Sequence, residues 1–180
     1  MFTLDTPSLA HVLGILALIS YVITLSPTLL RIVFPQTRKT GIPKLLLKQR
    51  RPIGIISFVF AVGHGFLLVR QRSIDFFDLK TSWIYITGMF TFLILAILTI
   101  TSNDWSVKKL KKNWKKIHQL TYITIFILNW HVWDTMSGHW TYLTPIAMIL
   151  MTGTTVLFLI RLWIENQEKN KTKKPASLSQ

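Results

Sequence analysis

The sequence predicts an all-α membrane protein, a bundle of about five transmembrane helices with the N-terminus outside and the C-terminus cytoplasmic. Three observations carry this expectation. Apolar runs of about 20 residues recur at roughly 9–33, 52–70, 83–101, 117–134 and 141–163, each long enough to cross a hydrocarbon core of ~30 Å as a helix. The basic residues crowd alternate connections. Tryptophans gather at the ends of the runs. Backbone groups in lipid must be paired within the segment, so helices rather than loops carry the apolar runs.

The first run, 9–33, is too long and too interrupted by Pro27 for a removable signal peptide, and no small-residue cleavage site follows it. Pro27 is expected to kink or end its helix. The connection at 34–51, with Pro35, Gly41 and Pro43, is the longest loop. The second run holds His64 between Gly63 and Gly65, with Ala61 and Ser57 one and two turns earlier on the same face. These small residues open space beside the helix or allow another helix to approach closely. The third run ends before a lysine-rich connection, and the fourth holds His118 and His131. After the fifth run, residues 164–180 read as a disordered basic cytoplasmic tail, too poor in apolar residues to pack a core. Residues 1–163 form the single membrane domain.

Charge sets the orientation. The formal net charge is +14. Seven basic residues between Arg31 and Arg51, six between Lys108 and Lys116, and five between Arg161 and Lys174 place 18 on one side. Only Arg70, Arg72 and Lys80 lie on the other, beside Asp75, Asp78 and Asp134. The positive-inside rule makes the rich side cytoplasmic. Trp83, Trp130, Trp133 and Trp140 then fall at the outer interface, and Trp105 and Trp114 at the inner one. This distribution argues for membrane lipid, not nucleic acid, as the surface that the basic residues meet. A bacterial inner membrane is the expected location.

Zero cysteine excludes a disulfide, a Cys-ligated zinc or iron–sulfur site and a covalently attached haem. No Gly-rich phosphate loop or dinucleotide fingerprint occurs, so electrons must come from another molecule. A transporter is disfavoured because Asp75, Asp78, Asp104 and Asp134 sit at boundaries or in loops.

The histidines are the residues that need a function, since ionisable groups within membrane runs mark one. His64 lies 13 residues beyond Arg51, and His131 lies 13 beyond His118. At 1.5 Å per residue each is about 20 Å from its cytoplasmic end. Two imidazoles at matched depth on separate helices are what a haem iron takes as axial ligands. His64 and His131 are therefore the candidate metal ligands for one haem b, with Arg70 and Arg72 as partners for its propionates. Interhelical hydrogen bonding is the competing role for each ring. His118 lies about 140° from His131 around an ideal helix, and no histidine occurs at its depth on the second run. It is a boundary residue, a ligand of a second cofactor, or a hydrogen-bond partner of a quinone or flavin. His11 and His139 carry no site assignment.

Three strings, LLLKQRRPIGIISFVFAVGH, WIYITGMFTFLILAILTITS and NWKKIHQLTYITIFILNWHVW, resemble the ferric-reductase-like transmembrane domain family. The resemblance rests on Arg50-Arg51-x-x-Gly54 with His64, on Leu98-Thr99-x-Thr101-Ser102, and on Trp114-x-x-x-His118-x-x-x-Tyr122 with His131, and it covers roughly residues 9–163. Within the family the chain is similar to the haem-binding membrane subunit of the bacterial methionine sulfoxide reductase system, from whose second helix it is expected to start. The resemblance implies b-type haem, transmembrane electron transfer, and His64, His131 and His118 as cofactor-binding positions, with a second haem among the options. Unlike the eukaryotic-type reductases, this chain has one histidine on its second helix and no flavin–nicotinamide domain. No catalytic residue is expected.

The expected function is transfer of electrons from a cytoplasmic flavoprotein, a ferredoxin-type donor or a quinol to an outer-side acceptor, a reductase partner among them. The alternative is a non-catalytic helical scaffold or assembly factor that keeps the fold.

Overall fold

The computed structural model describes residues 7–71, 79–135 and 141–173. Seven α-helices follow one another among these residues: α1 Leu9–Val33, α2 Ile42–Gln71, α3 Leu79–Ile100, α4 Asp104–Leu110, α5 Lys112–His118, α6 Leu120–Thr135 and α7 Leu143–Lys173. A 3-10 helix, Pro35–Thr40, joins α1 to α2. The all-helical membrane architecture expected from the apolar runs is present.

The helix boundaries differ from the apolar runs in instructive ways. Pro27 does not end α1, which continues to Val33. Hydroxyls around it return hydrogen bonds to the backbone: Thr24 to the Tyr21 carbonyl at 2.6 Å, Ser26 to Val22 at 2.9 Å and Thr28 to Leu25 at 3.1 Å. Such side chains are how a membrane helix tolerates proline. The 34–51 segment, expected as a loop, is mostly helical. Gly41 takes a left-handed φ of 73°, ending the 3-10 turn, and Pro43 sits in the first turn of α2, where no N–H is needed. α2 then runs through Arg50, Arg51 and Pro52. α7 likewise passes Trp163 and reaches Lys173, because Glu165, Gln167, Glu168 and the lysines that follow are good helix formers.

α1, α2 and α7 are each long and apolar enough to cross a bilayer. A fourth candidate is Tyr85–Ile100 joined to Asp104–Leu110 across a 92° bend. The run expected at 117–134 breaks at Gln119, leaving α6 with 16 residues, about 24 Å of helix. That is short of a full hydrocarbon core, so α6 needs its flanking segments to make a fifth crossing.

The five long helices close into a ring in the order α1–α2–α3–α6–α7, each packing against the next and α7 returning to α1. Among the described residues, α1 supplies half of the buried apolar core. Its Tyr21, Leu25 and Leu29 cluster with Leu95 of α3, Ile125 of α6 and Phe158 of α7. Leu18 joins Val132, Ala147 and Met151 in a second cluster. α2 faces outward: Ile55, Ile56, Val59, Val62, Phe66 and Val69 are all exposed. Water would penalise such a surface, whereas lipid solvates it.

Two cross-helix hydrogen bonds set the register. Ser57 on α2 donates to the Ala17 carbonyl of α1 at 2.8 Å, and the Tyr21 hydroxyl of α1 donates to the Thr121 carbonyl of α6. Both donors are buried.

Candidate functional site

His64 and His131 occupy similar seats on different helices. The His64 ring leans on α1, with Nδ1 donating to the Ala10 carbonyl at 2.7 Å. A carbonyl only accepts, so Nδ1 carries a ring proton. One turn along α1 is Gly14. A Cβ there would fall 2.9 Å from Nδ1 and 3.0 Å from Cε1 of His64, so only glycine leaves room for the ring.

The His131 ring leans on α3 in the same manner. Its Nδ1 lies 3.1 Å from Oγ1 of Thr87, a hydroxyl able to accept from the ring N–H. The next residue is Gly88, where a Cβ would come 3.1 Å from Cε1 of His131. Each histidine thus has a polar partner at Nδ1 and a glycine against its ring. Fixing Nδ1 in this way is how proteins orient an imidazole whose Nε2 binds a metal.

Depth follows from the two register bonds. With Ser57 against Ala17, and Thr24 3.8 Å from where a Cβ on Gly54 would lie, Tyr21 lies level with about residue 53–57 of α2. Tyr21 also marks the level of Thr121. From that level His64 is about 11–17 Å along α2 and His131 about 15 Å along α6. The two rings are level to within about one helical turn. α2 and α6 are not consecutive in the ring of helices, since α3 packs between them on one side.

The small residues beside His64 divide their roles. Gly63 is a packing glycine, since a Cβ there would meet Leu13 at 3.0 Å, while Gly65 has no heavy atom within 4 Å of such a position. Ser57 is a tether to α1. On the other side, Tyr85 Oη and Asn129 Oδ1 are buried with no hydrogen-bond partner among the described residues. They lie one turn from Gly88 and two residues from His131.

Among the described residues no three His, Asp or Glu side chains converge on one point. Two imidazoles are the kind of donor that would suit the iron of a haem.

His118 stands apart. It ends α5, below the level of Thr121, with Nε2 3.1 Å from Thr101 Oγ1. Its ring stacks on Trp114 at 4.1 Å between centroids, and Trp114 Nε1 donates to the Thr101 carbonyl at 2.9 Å. The break at Gln119 separates it from the helix of His131, so an ideal-helix angle between them does not apply. The structure brings His64 and His131 to one level and leaves His118 at the basic end. His11, at the start of α1, pairs through Nδ1 with Ser8 Oγ at 2.9 Å. Arg70 is exposed near the end of α2, while Arg72, Asp75, Asp78, His139 and Trp140 fall outside the described residues.

The basic end has its own electrostatics. Arg51 Nη1 lies 2.7 Å from Asp104 Oδ1, tying α2 to the start of α4. That hydrogen bond and the guanidinium charge hold the Asp104 carboxyl below its ordinary value of 3.8. Lys109 lies over the Trp105 ring at 4.4 Å. On α7, Arg161 Nε donates to Glu165 at 2.9 Å and Nη1 to the Tyr122 hydroxyl at 3.2 Å.

Sequence reasoning found the histidines and missed Gly14, Thr87 and Gly88. A glycine in an apolar run signals close approach, but not to which side chain.

Comparison with known proteins gives one consistent answer. The model of the family described as ferric reductase-like transmembrane component matches residues 13–129, ending two residues before His131. The protein-methionine-sulfoxide reductase haem-binding subunits MsrQ of Brucella melitensis, Brucella ovis and Brucella abortus are each 34% identical to it over 120 residues. Those matches cover 64% of this chain and 51% of each relative, so the chain spans about half the length of the curated relatives it matches. No solved structure matches significantly. With the family model covering well over half of its residues, the chain belongs to the family of ferric reductase-like transmembrane components.

Proposed function

We propose that the protein is a b-type haem membrane subunit that carries electrons from a cytoplasmic or quinol donor to an acceptor on the outer side. The observation that carries this reading is the pair of matched seats. His64 and His131 lie level on two helices, each with Nδ1 engaged and a glycine beneath its ring. The MsrQ relatives, named as haem-binding subunits, support the same group here. Bound haem supplies one-electron chemistry by cycling between ferric and ferrous iron.

The chain's own residues do the holding. Nε2 of His64 and Nε2 of His131 would hold the haem iron. The Ala10 carbonyl and the Thr87 hydroxyl orient the two rings, and hydrogen bonds of this kind make an imidazole a stronger donor to iron. Lipid-facing side chains of α2 keep water from the site. With the basic connections on the cytoplasmic side and the N-terminus outside, the rings sit in the outer half of a bacterial inner membrane. The lysine-rich face steers an acidic flavoprotein or ferredoxin-type donor by its positive potential. His118, stacked on Trp114 near that face, is the position for a second redox group: haem, flavin or quinone. The relatives' name makes a methionine sulfoxide reductase on the outer side the acceptor to test first. Residues 1–163 make the haem-binding domain.

The test is optical. Purified protein reconstituted with haem is expected to show a b-type spectrum that changes on dithionite reduction. Absence of b-type absorption overturns the proposal in favour of a scaffold whose histidines serve only to join helices.

A further inference from the structure

Where α1 ends and α2 begins, a cleft of about 210 Å³ is lined by Arg31, Arg38, Lys44, Leu47 and Pro43. Its cations have no acidic partner among the described residues, whereas Arg51 pairs with Asp104 and Arg161 with Glu165. Arg38 uses Nε to donate to the Arg31 carbonyl at 2.9 Å, which satisfies an end carbonyl of α1 and fixes the guanidinium at the rim. That bond uses Nε and leaves the Nη groups to meet an anion. Pro43 is fully buried and makes the floor rigid.

The apolar part of the wall decides the ligand class. Leu47 lines the cleft, and Phe34, Ile42 and Leu45, which lie within a few residues of its lining in the chain, are exposed by 43%, 51% and 61%. A soluble anion has no use for these side chains. A phospholipid does, because its acyl chains cover them while its phosphate meets the cations. Basic pockets between helices at a membrane surface bind anionic headgroups in this way.

We propose that this cleft is a binding site for the phosphate of an anionic phospholipid, with its acyl chains lying along Leu45 and Leu47. The site is built from one connection of the chain, is separate from the histidine seats, and does not depend on haem being bound.

The experiment uses the full chain in nanodiscs of phosphatidylcholine containing phosphatidylglycerol, followed by native mass spectrometry to count the phospholipid retained. The wild type is expected to keep phosphatidylglycerol in preference to phosphatidylcholine. Arg31→Gln/Lys44→Gln, which leaves the bond from Arg38 to the Arg31 carbonyl intact, should lower retention by about tenfold or more. Arg31→Gln/Arg38→Gln/Lys44→Gln should lower it further, with helix content checked by circular dichroism. Lys112→Gln/Lys115→Gln/Lys116→Gln removes three charges elsewhere on the same face and should leave retention unchanged. An equal loss in that control overturns the site in favour of diffuse attraction. Displacement by excess inorganic phosphate shows a free-anion site and overturns the lipid assignment. Equal retention of both lipids by the wild type also overturns it.

Discussion

Replacing Gly14 with alanine puts a Cβ 2.9 Å from Nδ1 and 3.0 Å from Cε1 of His64. Ordinary van der Waals contact begins near 3.4 Å, so the ring must retreat by about 0.5 Å or more. A retreat of that size strains a 2.7 Å bond to the Ala10 carbonyl toward the limit of about 3.2 Å for a good N–H···O hydrogen bond. Overpacking costs about 1–3 kcal/mol, and leaving the buried pair unmade costs about 1–3 kcal/mol more. Against this, alanine in a helix interior gains about 0.5–1 kcal/mol over glycine. The net expectation for Gly14→Ala is a loss of about 1–5 kcal/mol. Gly153 is the control, because nothing lies within 4 Å of a Cβ there and Gly153→Ala should be neutral or stabilising. Gly88→Ala, with its 3.1 Å approach to His131, should fall between them. Thermal unfolding of the three variants in one detergent, followed by far-UV circular dichroism, gives the order directly. A Gly14→Ala variant that melts at or above the wild type would refute the packing argument, above all if Gly153→Ala were the less stable of the two.

Three further outcomes follow from the same structure. Tyr21→Phe removes the donor to the Thr121 carbonyl across α1 and α6; it should destabilise by about 1–3 kcal/mol in the same melting assay, and wild-type stability would show that the bond is not formed. Arg161→Met deprives half-exposed Glu165 and the Tyr122 hydroxyl of their donor and should cost about 1–3 kcal/mol, with Glu165→Gln milder; equal effects would place the role of Arg161 elsewhere. Asp104 has a folded-state carboxyl held below its ordinary value by Arg51, so its contribution is complete above pH 3.8 and is lost as pH falls through the depressed value. Melting temperature against pH should therefore show an extra acid-side decline in the wild type that Asp104→Asn lacks, small because the pair is exposed. Superimposable acid limbs would mean that the bridge adds nothing.

The apolar runs were legible because hydropathy acts residue by residue. The ends of the helices were not. Nothing local showed that Ile42–Arg51 would join α2, since the basic residues with Pro35, Gly41 and Pro43 read as a loop, whereas in the fold the Gly41 turn and Pro43 give the helix its start. The broken α5–α6 step at Gln119 was hidden for the opposite reason: the apolar pattern runs through it unchanged. His64 and His131 stood out as polar rings in apolar runs, and their common level followed from counting residues. Their seats did not. Gly14 meets His64 across 50 positions of sequence, and Thr87 and Gly88 meet His131 across more than 40. Only the packing of α1 on α2 and of α3 on α6 brings those residues together.

The central claim is that His64 and His131 hold one iron between them. The most direct measurement is electron paramagnetic resonance of the oxidised, haem-loaded protein, with haem counted against chain by pyridine haemochrome. The account predicts a low-spin signal of bis-imidazole type that is abolished by His64→Ala and by His131→Ala and survives His118→Ala. Survival of that signal in either of the first two variants, or its loss in His118→Ala alone, would contradict it.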